Sequence, residues 1–112
     1  MELGWLTARP IAHRGLHQAD AGILENCPKA FAAAVANTYA IECDVQPTAD
    51  GEAIVFHDAT LDRLTTASGR VDARSTAELK ALAFKATDDR MITLGELFDL
   101  VAGRVPLVVE IK

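Results

Sequence analysis

The stretch Ala40-Ile41-Glu42-Cys43-Asp44-Val45 constrains this chain more than any other. It reads as a short strand, yet it carries two carboxylates. Side chains alternate between the two faces of a strand, so Glu42 and Asp44 project together while Ile41, Cys43 and Val45 point the other way. Two like charges on one face repel, and a packed interior does not tolerate both ionised without compensation. A shared proton, a basic side chain or a metal ion must neutralise them. A lone pair of this kind would pass as an acidic surface strand. Three other segments that end in similar chemistry change that reading.

Pro10-Ile11-Ala12 reads as a buried strand that runs into His13-Arg14-Gly15, where Gly15 frees the backbone for a turn. Met1 to Arg9 is a lead-in with Leu3, Trp5 or Leu6 as its anchor. A polar loop from Leu16 to Leu24 leads to Glu25-Asn26-Cys27-Pro28, after which Phe31, Ala34 and Val35 recur at helical spacing. Pro28 suits the first turn of that helix, Cys27 is a weak cap, and Asn37 is the expected stop. Thr48-Ala49-Asp50-Gly51 predicts a turn, and the apolar run Ala53 to Phe56 a second strand that ends in His57-Asp58. Residues 59–75 read as an ordered polar loop over the strand ends. Ser75 with Glu78 and Thr93 with Glu96 are capping boxes. Leu79, Leu82 and Ala83 form the apolar stripe behind the first; Leu97, Leu100 and Val101 form that behind the second, with Gly103 as the stop. Pro106 to Lys112 closes the chain as a strand with Val108, Glu110 and Lys112 on one side. Apolar runs separated by helical segments predict an α/β fold with a parallel sheet.

Each strand candidate delivers polar groups near its C-terminal end: His13 and Arg14, Glu42 and Asp44, His57 and Asp58, Glu110 and Lys112. In parallel α/β folds that end of the sheet is the active face. Glu42, Asp44 and Glu110 are hard oxygen donors suited to Mg²⁺ or Ca²⁺. His13 and His57 carry imidazoles, the side-chain type suited to an acid/base pair. Arg14 offers a planar fork that fits a phosphate, and Lys112 adds a point charge. Together they describe phosphoryl-transfer or phosphodiester chemistry. Asp58 is expected to cap or position the loop that holds Thr60 and Arg63.

Composition excludes other classes. A net charge of −5 and an aromatic content of 5% argue against a nucleic-acid binder, which needs a basic face and stacking platforms. No apolar run suits a signal peptide or a membrane span, so a cytoplasmic protein is expected. Cys27 and Cys43 lack metal or redox spacing and are expected as free thiols, Cys43 as a buried packing group. The 112 residues suffice for a single domain.

In this order the residues resemble the glycerophosphodiester phosphodiesterase family. The matching pieces are His13-Arg14-Gly15, Glu25-Asn26, Ile41-Glu42-Cys43-Asp44-Val45, Thr48-Ala49-Asp50-Gly51, His57-Asp58 with Leu61 and Arg63, Thr93-Leu94 with Glu96, and Glu110-Ile111-Lys112. Cys27 stands where the family usually has Thr, a capping change. The resemblance implies a TIM (β/α)8 barrel, of which this chain supplies about the first four strands. It also implies hydrolysis of glycerophosphodiesters to glycerol 3-phosphate and an alcohol. One divalent cation, Mg²⁺ or Ca²⁺, would sit on Glu42, Asp44 and Glu110, with His13 and His57 as catalytic acid and base. Arg14, Lys112, Glu25 and Asn26 would bind the substrate. Such barrels need about 250 residues, so residues 1–112 are expected to form one domain that is the N-terminal half of a larger enzyme. A non-catalytic half-barrel that self-associates or pairs with the missing half is the alternative. A related lipid phosphodiesterase, such as a phospholipase D of the sphingomyelinase type, is the rival enzyme reading.

Overall fold

The computed structural model describes residues 10–112; the lead-in with Leu3, Trp5 and Leu6 lies outside them. Four strands form one sheet: β1 (Ile11–His13), β2 (Ala40–Pro47), β3 (Ala53–Val55) and β4 (Leu107–Ile111). Among the described residues three α-helices accompany it: α1 (Pro28–Ala36), α2 (Thr76–Ala81) and α3 (Leu94–Val101). Helix α1 links β1 to β2 and α3 precedes β4, so β1 and β4 both lie parallel to β2. The carboxylate strand is the sheet's centre.

Strand β3 departs from the expected parallel arrangement. It runs antiparallel to β2, with Val45 opposite Val55 and Pro47 opposite Ala53. The cause is the connection, because the turn through Asp50-Gly51 is far too short for a crossover. Gly51 takes φ +83°, which a glycine adopts without strain, and the Thr48 N–H donates to the Glu52 carbonyl at 2.9 Å.

Backbone groups alternate in direction along a strand, and this fixes which edge of β2 each neighbour uses. The Ile41 N–H donates to the Pro106 carbonyl and the Lys112 N–H donates to the Val45 carbonyl, so odd-numbered residues of β2 face β4. The Phe56 N–H donates to the Asp44 carbonyl, so even-numbered residues face β3. Strand β1 shares that second edge, since β4 already pairs with Ile41 to Val45 on the first. Strand β1 ends opposite Glu42 and β3 descends toward Asp44 from above. The two strands meet head-on along one edge of β2.

One core fills the space between the sheet and the helices. Phe31, Ala34, Ile41, Cys43, Leu97 and Val101 are buried in it. A second core, with Leu24, Cys27, Phe56, Leu61, Val71, Leu79, Phe84 and Met91, holds the loop of residues 59–75 against the segment before α1. That loop is ordered as expected: the Leu61 N–H donates to the Gly69 carbonyl and the Val71 N–H donates to the Ala59 carbonyl.

The helix ends follow the sequence in part. Ser75 and Thr93 form complete capping boxes with Glu78 and Glu96. Cys27 makes no side-chain cap bond, and Pro28 occupies the first turn of α1. Asn37 ends α1, but the left-handed residue is the next one, Thr38, at φ +59°. After α3, Ala102 and Gly103 are both left-handed, at φ +51° and +73°. The sheet is open. Ile111 on β4 is 81% exposed, and no helix among the described residues is long and apolar enough to cross a membrane.

Candidate active site

The site begins with strand register. Asp44 on β2 pairs with Glu110 on β4, and Glu42 pairs with Val108. Registered neighbours in a parallel pair share a face, so Glu42, Asp44 and Glu110 converge. Each offers a carboxylate oxygen within 4.8 Å of the other two. Asp44 is fully buried, while Glu42 is half-buried and Glu110 exposed. On the opposite face Cys43 is buried in the core, and burial pushes its thiol up to about 12, so it packs rather than ligates.

The gap between β1 and β3 is filled by a side chain. The Asp44 N–H, which has no strand partner there, donates to Asn26 Oδ1 at 3.3 Å. Asn26 Nδ2 donates in turn to Asp44 Oδ2 at 3.0 Å. Asn26 adopts φ +54°, a left-handed conformation that Asn tolerates better than most residues. Its own N–H donates to the Arg14 carbonyl at 2.8 Å, tying the loop to the end of β1.

Arg14 is also left-handed, at φ +57°, and Gly15 follows at φ +82°. This turn points the Arg14 N–H at Glu42 Oε1, 3.1 Å away. A Cβ on Gly15 would sit 2.8 Å from Ala30 Cβ, so glycine is needed for both conformation and space. Two non-glycine residues held in the left-handed region beside one carboxylate pair mark a constrained site. His13, at the end of β1, places Nε2 3.7 Å from Glu42 Oε1.

Cations flank the carboxylates. Arg14 Nη1 donates to Glu25 Oε2 at 3.0 Å, and its Nε lies 3.5 Å from Asp44 Oδ2. Lys112 Nζ donates to Glu110 Oε1 at 3.0 Å and lies 3.8 Å from Asp44 Oδ1. The Glu110 hydrogen bond raises the Lys112 pKa, keeping the ammonium charged. At Glu42, burial raises the pKa, the Arg14 N–H opposes it and the Asp44 charge adds to it.

The compensation is incomplete. Asp44 Oδ1 and Arg14 Nε are buried without a hydrogen-bond partner. A buried carboxylate oxygen left bare is costly. Lys112 Nζ at 3.8 Å gives it an ion-pair neighbour but no hydrogen bond, and with Glu42 and Glu110 the Asp44 carboxylate makes up three oxygen donors, the donor set of a hard divalent cation. These residues fit such an ion.

His57 enters from the end of β3. Its Nδ1 lies 2.8 Å from Asp58 Oδ1. Arg63 Nε donates to Asp58 Oδ2 at 2.7 Å and Nη2 to Asp58 Oδ1 at 3.1 Å. The same guanidinium donates to Glu25 Oε1 and Oε2 at 3.0 and 3.1 Å. A continuous chain of hydrogen bonds therefore runs from His57 through Asp58, Arg63, Glu25 and Arg14 toward the carboxylates. The Arg63 hydrogen bonds, with smaller help from His57, hold the Asp58 carboxyl at about 2. Burial would raise Glu25, but Arg63 and then Arg14 outweigh it and keep it below its ordinary value.

All nine residues singled out from sequence, His13, Arg14, Glu25, Asn26, Glu42, Asp44, His57, Glu110 and Lys112, thus belong to one connected region. Sequence reasoning placed Arg63 in the loop that Asp58 would cap or position and among the residues of the family resemblance, but did not foresee its contact with Glu25. A groove of about 480 Å³ lies elsewhere, lined by Val45, Pro47, Ala53, Leu94, Val109 and Ile111 among others. It is mostly apolar and shares only Lys112 with the site.

Comparison with known proteins agrees with this architecture. The sequence profile of the glycerophosphoryl diester phosphodiesterase family matches residues 13–112. A glycerophosphodiester phosphodiesterase of Caldanaerobacter subterraneus is 38% identical over 110 residues, which is 91% of this chain and 44% of that protein. Among solved structures, an Oleispira antarctica phosphodiesterase in complex with the product sn-glycerol-3-phosphate superposes with a TM-score of 0.80 at 28% identity. The match covers 96% of this chain and 47% of that one. A glycerophosphodiester phosphodiesterase of Thermotoga maritima gives 0.75 at 33% identity, over 91% and 42% of the two chains. The chain spans less than half the length of these relatives, and its open sheet corresponds to part of their TIM barrel.

Proposed function

Since this chain belongs to the glycerophosphoryl diester phosphodiesterase family, we propose that it carries the metal and acid/base residues of a glycerophosphodiester phosphodiesterase. It would be the N-terminal half of the catalytic barrel. The reaction is hydrolysis of a glycerophosphodiester to glycerol 3-phosphate and an alcohol. The observation that carries the reading is the buried Asp44 carboxylate within a carboxylate triad, its Oδ1 without a hydrogen-bond partner, with Arg14 beside Oδ2 and Lys112 beside Oδ1.

Glu42, Asp44 and Glu110 would hold one divalent cation, Mg²⁺ or Ca²⁺. When bound, that ion supplies electrostatic stabilisation to the charge that grows on the phosphoryl oxygens. Arg14 and Lys112 bind the phosphate, Arg14 through its planar fork and Lys112 as a point charge. Asn26 and Glu25 hold Asp44 and Arg14 in place at the edge of the substrate. His13 and His57 act as the acid/base pair: one imidazole accepts the proton of the attacking hydroxyl while the other protonates the leaving alcohol oxygen. The head-on meeting of β1 and β3 on one edge of β2 is what brings the two strand ends that carry them together. The free, buried thiols of Cys27 and Cys43 suit a reducing compartment, and the cytosol is the proposed site of action.

Release of glycerol 3-phosphate from glycerophosphocholine by the purified chain tests this reading, with Mg²⁺ or Ca²⁺ and with a chelator. Metal-dependent turnover that is lost in His13→Ala supports it. A second reading has one specific observation behind it: the β4 side of the sheet is open, with Ile111 exposed. On that reading the 112-residue chain is a half-barrel that needs a partner, either a second copy or the remaining half of a barrel. A folded, metal-binding sample without turnover would favour it.

A further inference from the structure

The hydrogen-bond chain behind His57 assigns a task to Arg63. Asp58 is ion-paired to the Arg63 guanidinium through both of its oxygens, at 2.7 and 3.1 Å. An ion-paired carboxylate can only accept hydrogen bonds. The 2.8 Å contact between Asp58 Oδ1 and His57 Nδ1 therefore requires the proton on Nδ1. In a neutral ring that leaves Nε2 as the bare nitrogen, the one free to take a proton.

We propose that Arg63 is a positioning residue: by gripping Asp58 and Glu25 at once, it holds His57 in the tautomer that is protonated on Nδ1 and bare on Nε2. Asp58 alone sits in a loop, one residue from the ring it must orient. Arg63 anchors it to Glu25, which is buried and further held by Arg14 Nη1 at 3.0 Å. Glu25 and Arg63 are distant in sequence, but the second core packs their segments together through Leu24, Cys27 and Leu61. The guanidinium uses Nε, Nη1 and Nη2 to make four hydrogen bonds to two carboxylates. A lysine ammonium has the charge but not the fork that spans both. The inference rests on the proposed function only where His57 is called a base; the tautomer is a property of the chain without metal or substrate.

The test is the ¹⁵N spectrum of the histidine rings in the metal-free chain, at a pH where the imidazoles are neutral. Two-bond proton–nitrogen correlations tell a protonated ring nitrogen from a bare one. Wild type is expected to show His57 protonated on Nδ1 and bare on Nε2. Arg63→Met is expected to shift both nitrogens toward the averaged values of a free, tautomer-exchanging ring. Arg63→Lys, which keeps the charge and most of the stem, serves if Arg63→Met does not fold and is expected to shift them in the same direction. Asp58→Asn gives the reference for a ring without its carboxylate. Unchanged His57 nitrogens in a folded Arg63 variant, alongside a change in Asp58→Asn, would overturn the proposal. So would a wild-type His57 protonated on Nε2. Loss of phosphodiesterase activity or its absence leaves both readouts intact, so the two readings fail separately.

Discussion

Asn26 and Asp44 are locked to each other by two hydrogen bonds, one from the Asn26 amide to Asp44 Oδ2 at 3.0 Å and one from the Asp44 N–H to Asn26 Oδ1 at 3.3 Å. The carboxamide stands in for a missing strand residue in the gap between β1 and β3. Replacing it leaves a buried N–H and a buried carboxylate oxygen without partners. Asn26→Ala is expected to destabilise the chain by about 2–4 kcal/mol, read from the midpoint of a urea unfolding curve. Asn26→Asp sets a second carboxylate against Asp44 and is expected to cost at least as much.

Gly15 carries the turn that aims the Arg14 N–H at Glu42. Its φ of +82° is unfavourable for alanine, and the added Cβ would meet Ala30 Cβ at 2.8 Å. The left-handed penalty and the overpacking together predict a loss of about 2–4 kcal/mol in Gly15→Ala. Gly51 has φ +83° but nothing within 4 Å of a built Cβ. Gly51→Ala is therefore expected to cost only about 1 kcal/mol, from the backbone alone. Equal losses at the two sites would contradict the steric argument.

Acid should act on the Arg63 clamp. The Asp58 carboxyl sits at about 2 in the folded chain against an ordinary 3.8, chiefly because Arg63 hydrogen-bonds to it. A carboxyl whose folded pKa is depressed stabilises the fold above its unfolded pKa, and this stabilisation fades as pH falls through the folded one. Asp58 should therefore contribute fully above about pH 4 and lose its contribution between roughly pH 4 and 2. The size is on the order of 1–2 kcal/mol after allowance for partial exposure. Glu25, also depressed, adds in the same direction. Asp58→Asn is expected to be less stable at pH 6 and to lose less stability than wild type on acidification, as followed by thermal unfolding at each pH.

Much of this was legible in the sequence because its causes are local. The alternation of Glu42 and Asp44, the capping boxes at Ser75 and Thr93, and the turn at Asp50-Gly51 each depend on neighbours within a few residues. The direction of β3 was also implied locally, since a four-residue turn cannot carry a crossover. The apolar runs separated by helical segments pointed instead to a parallel sheet, and the charged end of β3, His57-Asp58, was similar to the other strand ends. That similarity has a different origin: His57 reaches the site because β3 descends the edge of β2 that β1 climbs. The link from Arg63 to Glu25 was not legible. It spans 38 residues between Arg63 and Glu25 and depends on the packing of Leu24, Cys27 and Leu61, which no local pattern encodes. Asn37 shows a smaller case, where the left-handed position fell on Thr38 instead.

Glu42, Asp44 and Glu110 are proposed to form a divalent-cation site around the Asp44 oxygen that lacks a hydrogen bond. Calorimetric titration of Mg²⁺, and separately of Ca²⁺, into the purified chain tests it most directly. One ion per chain is predicted, with binding abolished in Asp44→Asn and strongly weakened in Glu110→Gln. Glu110→Gln should leave the fold intact because that residue is exposed. A folded wild-type chain that binds neither ion, or binding that survives Asp44→Asn unchanged, would contradict the account.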